Sequence, residues 1–234
     1  MIEVQGVTKR YGKKDSEFTA LDNVSFTIPD GESIAIIGKS GSGKSTLMHT
    51  LALLDKPTAG SILIDGKDTT KLRERELDRL RNQDFGFVFQ QFFMNAHDTV
   101  LANVMLPLKI AGVPYRERVK RGMQALESVD LADKAKAKAG NLSGGQKQRV
   151  CIARALVGDP KVIFADEPTG NLDSATGEVV EKLLFDLNAQ KGITLIIVTH
   201  DPDLAAKCSR QIRVHDGMIV STTSPKHSTR KVAA

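Results

Sequence analysis

The stretch that most constrains this chain is Ser33-Ile-Ala-Ile-Ile-Gly-Lys-Ser-Gly-Ser-Gly-Lys-Ser-Thr-Leu47. A short apolar run leads into a glycine-rich loop, and a lysine with two hydroxyl residues then opens an apolar helix. Gly38, Gly43, Lys44 and Ser45 fall where a phosphate-binding loop requires them. Glycines let backbone N–H groups close on phosphate oxygens with no Cβ in the way. A helix beginning near Lys44 presents its positive end to the same anion. Gly38, Lys39, Ser40, Gly41, Ser42, Gly43, Lys44, Ser45 and Thr46 are therefore the expected cradle for a nucleoside triphosphate. Lys44 is expected to reach the β- and γ-phosphates, and Ser45 to offer its hydroxyl to Mg²⁺. A strand–loop–helix unit of this kind calls for an α/β core with a mostly parallel sheet.

The 234 residues suffice for one large α/β domain, or for a core with a lobe inserted. Alternating apolar and polar residues predict half-buried strands at 2–8 and 24–28, separated by a polar loop at 12–18. Further strands are expected at 34–37, 61–64 and 85–89, with helices at 45–54 and 73–82. Strand signals then stop. Residues 100–111, 115–129 and 144–156 read as helices, the first pair broken by Gly112-Val-Pro114. Strands resume at 161–165 and 194–198 around a helix at 174–190, with Ser174 as its cap and Gly192 as its stop. A final hairpin, 211–214 and 218–220, turns at Asp216-Gly217. The expected division is a core of residues 1–90 and 160–222, a helical subdomain at 91–159, and a flexible basic tail at 223–234.

The second half of a nucleotide site is visible in Val162-Ile-Phe-Ala-Asp-Glu167. A strand ending in solvated acids is common. Downstream of a phosphate loop, however, carboxylates at a parallel strand's C-terminal end fall in the crevice where the loop lies. Asp166 is placed to hold Mg²⁺, and Glu167, turned differently, to polarise a water for attack on the γ-phosphate. Leu142-Ser-Gly-Gly-Gln146 forms a second anion-binding helix start, with Ser143 as cap. One triphosphate has little use for two such ends in one subunit.

Leu142 to Arg149, reading Leu-Ser-Gly-Gly-Gln-Lys-Gln-Arg, resembles the signature motif of ATP-binding cassette (ABC) ATPases. Other family marks follow in the family's order. Gln90 matches the Q-loop glutamine, Asn171-Leu172-Asp173 the D-loop, His200 the switch histidine, and Tyr11 the aromatic residue that stacks on adenine. The resemblance covers residues 1 to about 222. It implies a RecA-like P-loop core with an antiparallel β subdomain and an inserted helical subdomain. It further implies ATP hydrolysis with Mg²⁺, held by Ser45, Gln90 and Asp166, with Glu167, His200 and Gln90 as catalytic residues. Two subunits would sandwich two ATP molecules, Leu142, Ser143, Gly144, Gly145 and Gln146 of one facing the phosphate loop of the other. This gives the second helix end a use in trans.

Several segments narrow the resemblance to the macrolide-export and lipoprotein-release branch: Leu53-Leu-Asp-Lys-Pro-Thr-Ala-Gly60, Gly86-Phe-Val-Phe-Gln-Gln-Phe92, Asp166-Glu-Pro-Thr-Gly-Asn-Leu-Asp173 and Val198-Thr-His-Asp-Pro-Asp-Leu204. Two positions depart from it. Lys39 stands where the branch usually has proline and is expected to point out of the loop. Asn95-Ala-His-Asp98 replaces an apolar, proline-containing stretch near the expected membrane partner.

No apolar run is long enough to span a bilayer, so the resemblance implies a separate transmembrane permease and a peripheral place on the cytoplasmic face of the cell membrane. The N-terminus carries no basic-then-apolar leader pattern. A net charge of +5 admits nucleic acid, an anionic membrane surface, or a nucleotide site with a basic tail. The tail 224–231 is compatible with a membrane surface, although its composition favours solvated disorder. A nucleic-acid role is disfavoured by the absence of a coiled-coil insertion, a zinc-type cysteine set or a second cassette. Cys151 and Cys208 read as reduced thiols. A non-transporting regulator of cell-wall enzymes, built on the same cassette, has the same sequence marks. Phe85, Phe87 and Phe89 read as core, while Phe92, Phe93 and Met94 suit either a docking groove or the lobe's own packing.

Overall fold

The computed structural model describes residues 1–13 and 16–223. The basic tail expected beyond the last strand lies, apart from Thr223, outside the described residues. Two sheets carry the fold. The first is antiparallel, in the order β2-β1-β4-β5, from β1 (Ile2–Tyr11), β2 (Phe18–Ile28), β4 (Ala59–Ile64) and β5 (Lys67–Asp68). The second runs β10-β9-β3-β8-β7-β6, from β3 (Ser33–Ile37), β6 (Phe85–Phe89), β7 (Val162–Asp166), β8 (Thr194–Val198), β9 (Arg210–His215) and β10 (Met218–Thr223). All its pairs are parallel except the β9–β10 hairpin.

The parallel strands are buried on both faces, as their near-continuous apolar runs require. Ile34, Ile36, Phe164, Ile196 and Val198 join one core, which holds helix α1 (Lys44–Leu51) between the two sheets. Ala35, Ile163, Ala165, Leu195 and Ile197 point the other way, into a core shared with the inserted helices. Register aligns Phe89 with Asp166 and Asp166 with Val198, so the chemistry-bearing loops leave the sheet along one edge.

Between β6 and β7 lie α3 (Val100–Val104), α4 (Leu106–Ile110), α5 (Tyr115–Glu127) and α6 (Gly144–Leu156). The single helix expected at 100–111 is two short ones. Pro107 has no N–H to donate to the carbonyl of Asn103, and its ring crowds that carbonyl. Remaining helices are α2 (Glu74–Asp84), α7 (Ser174–Lys191) and α8 (Pro202–Lys207), the last not expected from the sequence, like the short β5. Asp173, rather than Ser174, caps α7: its carboxylate accepts from Thr176 N at 3.0 Å. Gly192 ends α7 with a left-handed φ of 65°. None of the helices is long and apolar enough to cross a membrane, among the described residues.

The departing segment 95–98 is a tight polar turn built on buried Asn103. Asn103 Oδ1 accepts from Asn95 N at 2.8 Å, and its Nδ2 donates to the carbonyls of Asn95 (3.1 Å) and Thr99 (2.9 Å). Asn103→Ala strips all three bonds and leaves the Asn95 N–H without its acceptor. It is expected to lower unfolding free energy by about 2 kcal/mol, read by urea denaturation. Both cysteines are buried, and burial pushes their thiols up to about 11 for Cys151 and about 12 for Cys208.

Candidate functional site

The phosphate loop crosses from β3 to α1 in a conformation only glycine tolerates at two points. Gly43, at φ 105°, precedes the helix, and a Cβ there would lie 2.6 Å from the Ala20 carbonyl. At Gly38 a Cβ would lie 2.2 Å from the carbonyl of Val214. The β9–β10 turn braces the loop: Gly217 N donates to Ser42 O at 2.9 Å, and Asp22 N donates to Gly217 O at 2.9 Å. Lys44 folds back, its Nζ donating to Lys39 O at 3.0 Å, while the Lys39 side chain is exposed.

An open cleft of about 480 Å³ lies against this loop. It is lined by Ser40, Gly41, Gly43, Lys44, Ser45 and Thr46, by Phe18 to Ala20, and by the Asp216–Gly217 turn. Its size suits a ligand of nucleotide dimensions. Phe18 was not expected here. Its ring is 59% exposed and stacks on Tyr11 with centroids 5.6 Å apart. Tyr11 itself does not line the cleft. Its hydroxyl donates to Asp55, and Lys9 Nζ lies 4.9 Å from its ring centre.

Asp166 ends β7, half-buried, and its carboxylate makes no hydrogen bond or ion pair among the described residues. Burial first, then the neighbouring Glu167 carboxylate, raises its pKa above the ordinary value, while His49 and Lys44 pull the other way. A half-buried carboxylate in that position favours a cation. Ser45 Oγ, Asp166 and the amide oxygen of Gln90 are hard oxygen donors of the kind Mg²⁺ takes, usually with several waters retained. Gln90 donates its amide N–H to Asn171 Oδ1 at 3.3 Å, and Asn171 returns a bond to Gln90 O at 3.0 Å. The Gln90 Oε1 atom is thereby left as acceptor. A Cβ on Gly170 would come 2.8 Å from Gln90 Nε2, so a side chain there would push the amide aside.

Glu167 holds a left-handed φ of 44°, a conformation that costs a non-glycine residue about 1–2 kcal/mol. Its backbone N–H donates to Val198 O at 2.9 Å. The side chain meets three groups: His200 N donates to Oε1 at 3.0 Å, His200 Nδ1 lies 2.8 Å from Oε1, and Thr199 Oγ1 donates to Oε2 at 3.2 Å. The hydrogen bond to Glu167, and then its charge, raises the pKa of His200. Thr199 escaped the sequence reading, although a hydroxyl beside His200 at a strand end was its signal.

The signature stretch stands apart. Ser143 caps α6 with a reciprocal box: its Oγ accepts from Gln146 N at 3.3 Å, and Gln146 Oε1 accepts from Ser143 N at 3.0 Å. Leu142 is buried, Ser143 and Gly144 are exposed, and no residue from Leu142 to Gln146 lines the cleft of the same chain. A Cβ on Gly145 would strike Thr176 at 2.1 Å, and Leu172 packs near Gly144. Gln148, not singled out before, ties α6 to the loop after β7: its Nε2 donates to Pro168 O at 2.7 Å.

A second depression, of about 600 Å³, runs between β6 and the inserted helices. Phe87 and Phe89 pack partly buried against the core, as expected, and also stack on each other along this depression with centroids 5.8 Å apart. Leu54, Phe93, Leu106 and Ile110 stand exposed around it, and Met94 packs inward.

The family model described as ABC transporter matches residues 21–170. The chain is 44% identical to the lipoprotein-releasing system ATP-binding protein LolD of Syntrophus aciditrophicus, over 94% of this chain and 99% of that one. It is also 44% identical to the macrolide export ATP-binding/permease protein MacB of Hyphomonas neptunium, where it spans 36% of the relative's length. The dimeric structure of the ATP-binding cassette MJ0796, in a post-hydrolysis state bound to ADP and Pi, superposes with a TM-score of 0.87 at 42% identity, covering 96% of this chain and 98% of that one. This chain belongs to the ABC transporter family and is one of its ATPase subunits.

Proposed function

We propose that the chain hydrolyses ATP at sites shared between two copies and drives a separate membrane permease that exports or extracts its cargo. The observation that carries this reading is the exposed, fully formed N-terminus of α6, an anion-binding helix end outside its own chain's phosphate cleft. In the dimer, Leu142, Ser143, Gly144, Gly145 and Gln146 close over the γ-phosphate held by the partner's loop. Asn171, Leu172 and Asp173 lie at the same edge, with Asn171 paired to Gln90.

Within the cleft, the backbone N–H groups of residues 38–45 bind the phosphates. Lys44 leaves the Lys39 carbonyl and turns to the β- and γ-phosphates. The Phe18–Tyr11 pair forms the shelf for adenine, with Phe18 supplying the exposed ring. Ser45, Asp166 and Gln90 would hold Mg²⁺, which when bound neutralises charge on the β- and γ-oxygens. Glu167 accepts a proton from water as the water oxygen bonds to the γ-phosphorus and the bond to the β–γ bridging oxygen breaks. ADP and phosphate leave. His200, held by Glu167 now, contacts the γ-phosphate when ATP is present. Closure and reopening of the dimer move the inserted helices, and with them whatever occupies the groove beside β6.

That groove, floored by Phe87 and Phe89 and rimmed by Phe93, suits a short apolar segment of the permease. The chain would then be peripheral on the cytoplasmic face of the membrane. Pull-down from detergent-solubilised membranes should recover one integral membrane protein with the wild-type chain and lose it with Phe93→Asp. The soluble ATPase rate of that variant should stay within about twofold, because Phe93 is exposed and outside the cleft. Recovery of nucleic acid instead of a membrane protein, or equal recovery by both chains, overturns this reading.

A further inference from the structure

The hairpin joining α4 to α5 projects from the inserted lobe. From Lys109 to Glu117 every residue is exposed except Val113, which packs against the lobe core. Two backbone hydrogen bonds close the turn: Val113 N donates to Leu108 O at 3.0 Å, and Gly112 N donates to Lys109 O at 3.2 Å. Leu108 is buried on the inner face of α4. Leu106 and Ile110, four residues apart on the outer face, are 46% and 69% exposed. Tyr115 follows at 63%, with the Arg118 guanidinium 5.5 Å from its ring centre. No described residue covers these apolar side chains.

Their charged neighbours are strongly one-signed. Between Leu106 and Arg121 the cations Lys109, Arg116, Arg118, Lys120 and Arg121 meet a single acid, Glu117. Lys109, Arg116 and Lys120 are exposed; Arg121 is turned inward, donating to Val157 O at 2.8 Å. A projecting tip with a few apolar side chains, an amphipathic tyrosine and a collar of cations has the chemistry of a headgroup-level membrane contact. Leu106 and Ile110 also border the groove assigned to the permease, so the tip faces the same side of the molecule.

We propose that the α4–α5 tip seats on an anionic lipid surface, Ile110 and Tyr115 entering the headgroup layer while Lys109, Arg116 and Lys120 pair with lipid phosphates. This rests on the reading that the adjoining groove serves a membrane protein. The contact orients the subunit beneath its permease. Exposed apolar and amphipathic side chains collared by exposed cations match the apolar-then-phosphate layering of a lipid headgroup region, which is why lipid is favoured over an acidic permease segment.

Cosedimentation of the full chain with vesicles of phosphatidylcholine alone, or with phosphatidylglycerol added, tests this without any permease. The wild-type chain should bind the anionic vesicles and not the neutral ones. Lys109→Glu, Arg116→Glu and Lys120→Glu together should weaken binding about a hundredfold, at roughly fivefold for each basic charge lost. Ile110→Ser with Tyr115→Ser should weaken it about tenfold. Replacing the tail charges (Lys226→Ser, Arg230→Ser, Lys231→Ser) should change it by less than about threefold. Binding unaffected by the tip changes, or abolished by the tail changes, overturns the proposal. So does a wild-type chain that ignores anionic vesicles, including the case where tip charges matter only for permease capture. Pull-down from solubilised membranes measured alongside separates the two readings: a chain that captures a membrane protein but ignores vesicles removes the lipid contact alone, and one that captures none removes the groove reading.

Discussion

Glu167→Gln is expected to lower ATP turnover by about 10²- to 10⁴-fold while ATP affinity stays within about twofold. Glutamine keeps the shape of the side chain. Its Oε1 still accepts from the His200 backbone N–H, and its amide can donate to Thr199 Oγ1, so the strained loop at residue 167 keeps its contacts. What vanishes is the carboxylate that holds His200. The phosphate cleft is untouched, because Glu167 does not line it. ATP should therefore bind and stay, and the chain should accumulate as an ATP-bound dimer, read by gel filtration and single-turnover hydrolysis. Titration gives an independent readout. His200 owes its raised pKa first to the Glu167 hydrogen bond and then to its charge. Folding stability from that pair is fully present below the unfolded histidine value, near pH 6.5, and is lost as pH rises through the higher folded value. In Glu167→Gln the NMR-detected midpoint of His200 should fall. Normal turnover in this variant would remove Glu167 from the chemistry, whatever the midpoint does.

The parts of the site that sequence revealed are those where one residue type answers one local demand. Gly38 and Gly43 were legible because no side chain fits between the loop and the carbonyls of Val214 and Ala20. Strands 85–89 and 194–198 were legible because each is an apolar run with breakers at its ends. The break at Met105 was in principle visible in Pro107, but the periodicity of residues 100–111 carries across it, and periodicity is blind to one missing donor. The cap of α7 was misassigned by one residue because Asp173 and Ser174 both have capping oxygens, and only backbone geometry chooses. Phe87 and Phe89 alternate like core residues. They line a groove because the inserted helices stop short of covering them, which is a tertiary fact with no local mark. Phe18 was hidden for the same reason: it reaches the phosphate cleft only because β1 and β2 carry it there.

Ser143→Arg should leave ATP binding to the monomer nearly intact while abolishing dimer closure and lowering hydrolysis by more than about a hundredfold. Ser143 serves its own chain only as the cap of α6. Losing that cap costs about 1 kcal/mol, and the rest of α6 stays anchored by buried Val150, Cys151 and Ile152. The variant should remain folded, with a melting temperature lowered by a few degrees at most. Nor does the substitution reach the nucleotide in cis, since residues 142–146 do not line that cleft. Its effect is expected across the two-fold axis of the dimer. An arginine at the exposed end of α6 fills the space a partner's γ-phosphate would enter, and it replaces directed backbone and hydroxyl donors with a bulky side chain. Ser143→Ala separates the components, because it removes the cap and the hydroxyl but adds no bulk. It should retain dimer formation and lose only part of the rate. If Ser143→Arg hydrolyses ATP at the wild-type rate, the phosphate loop is a complete site within one chain, and the exposed helix end at Ser143 has no part in hydrolysis.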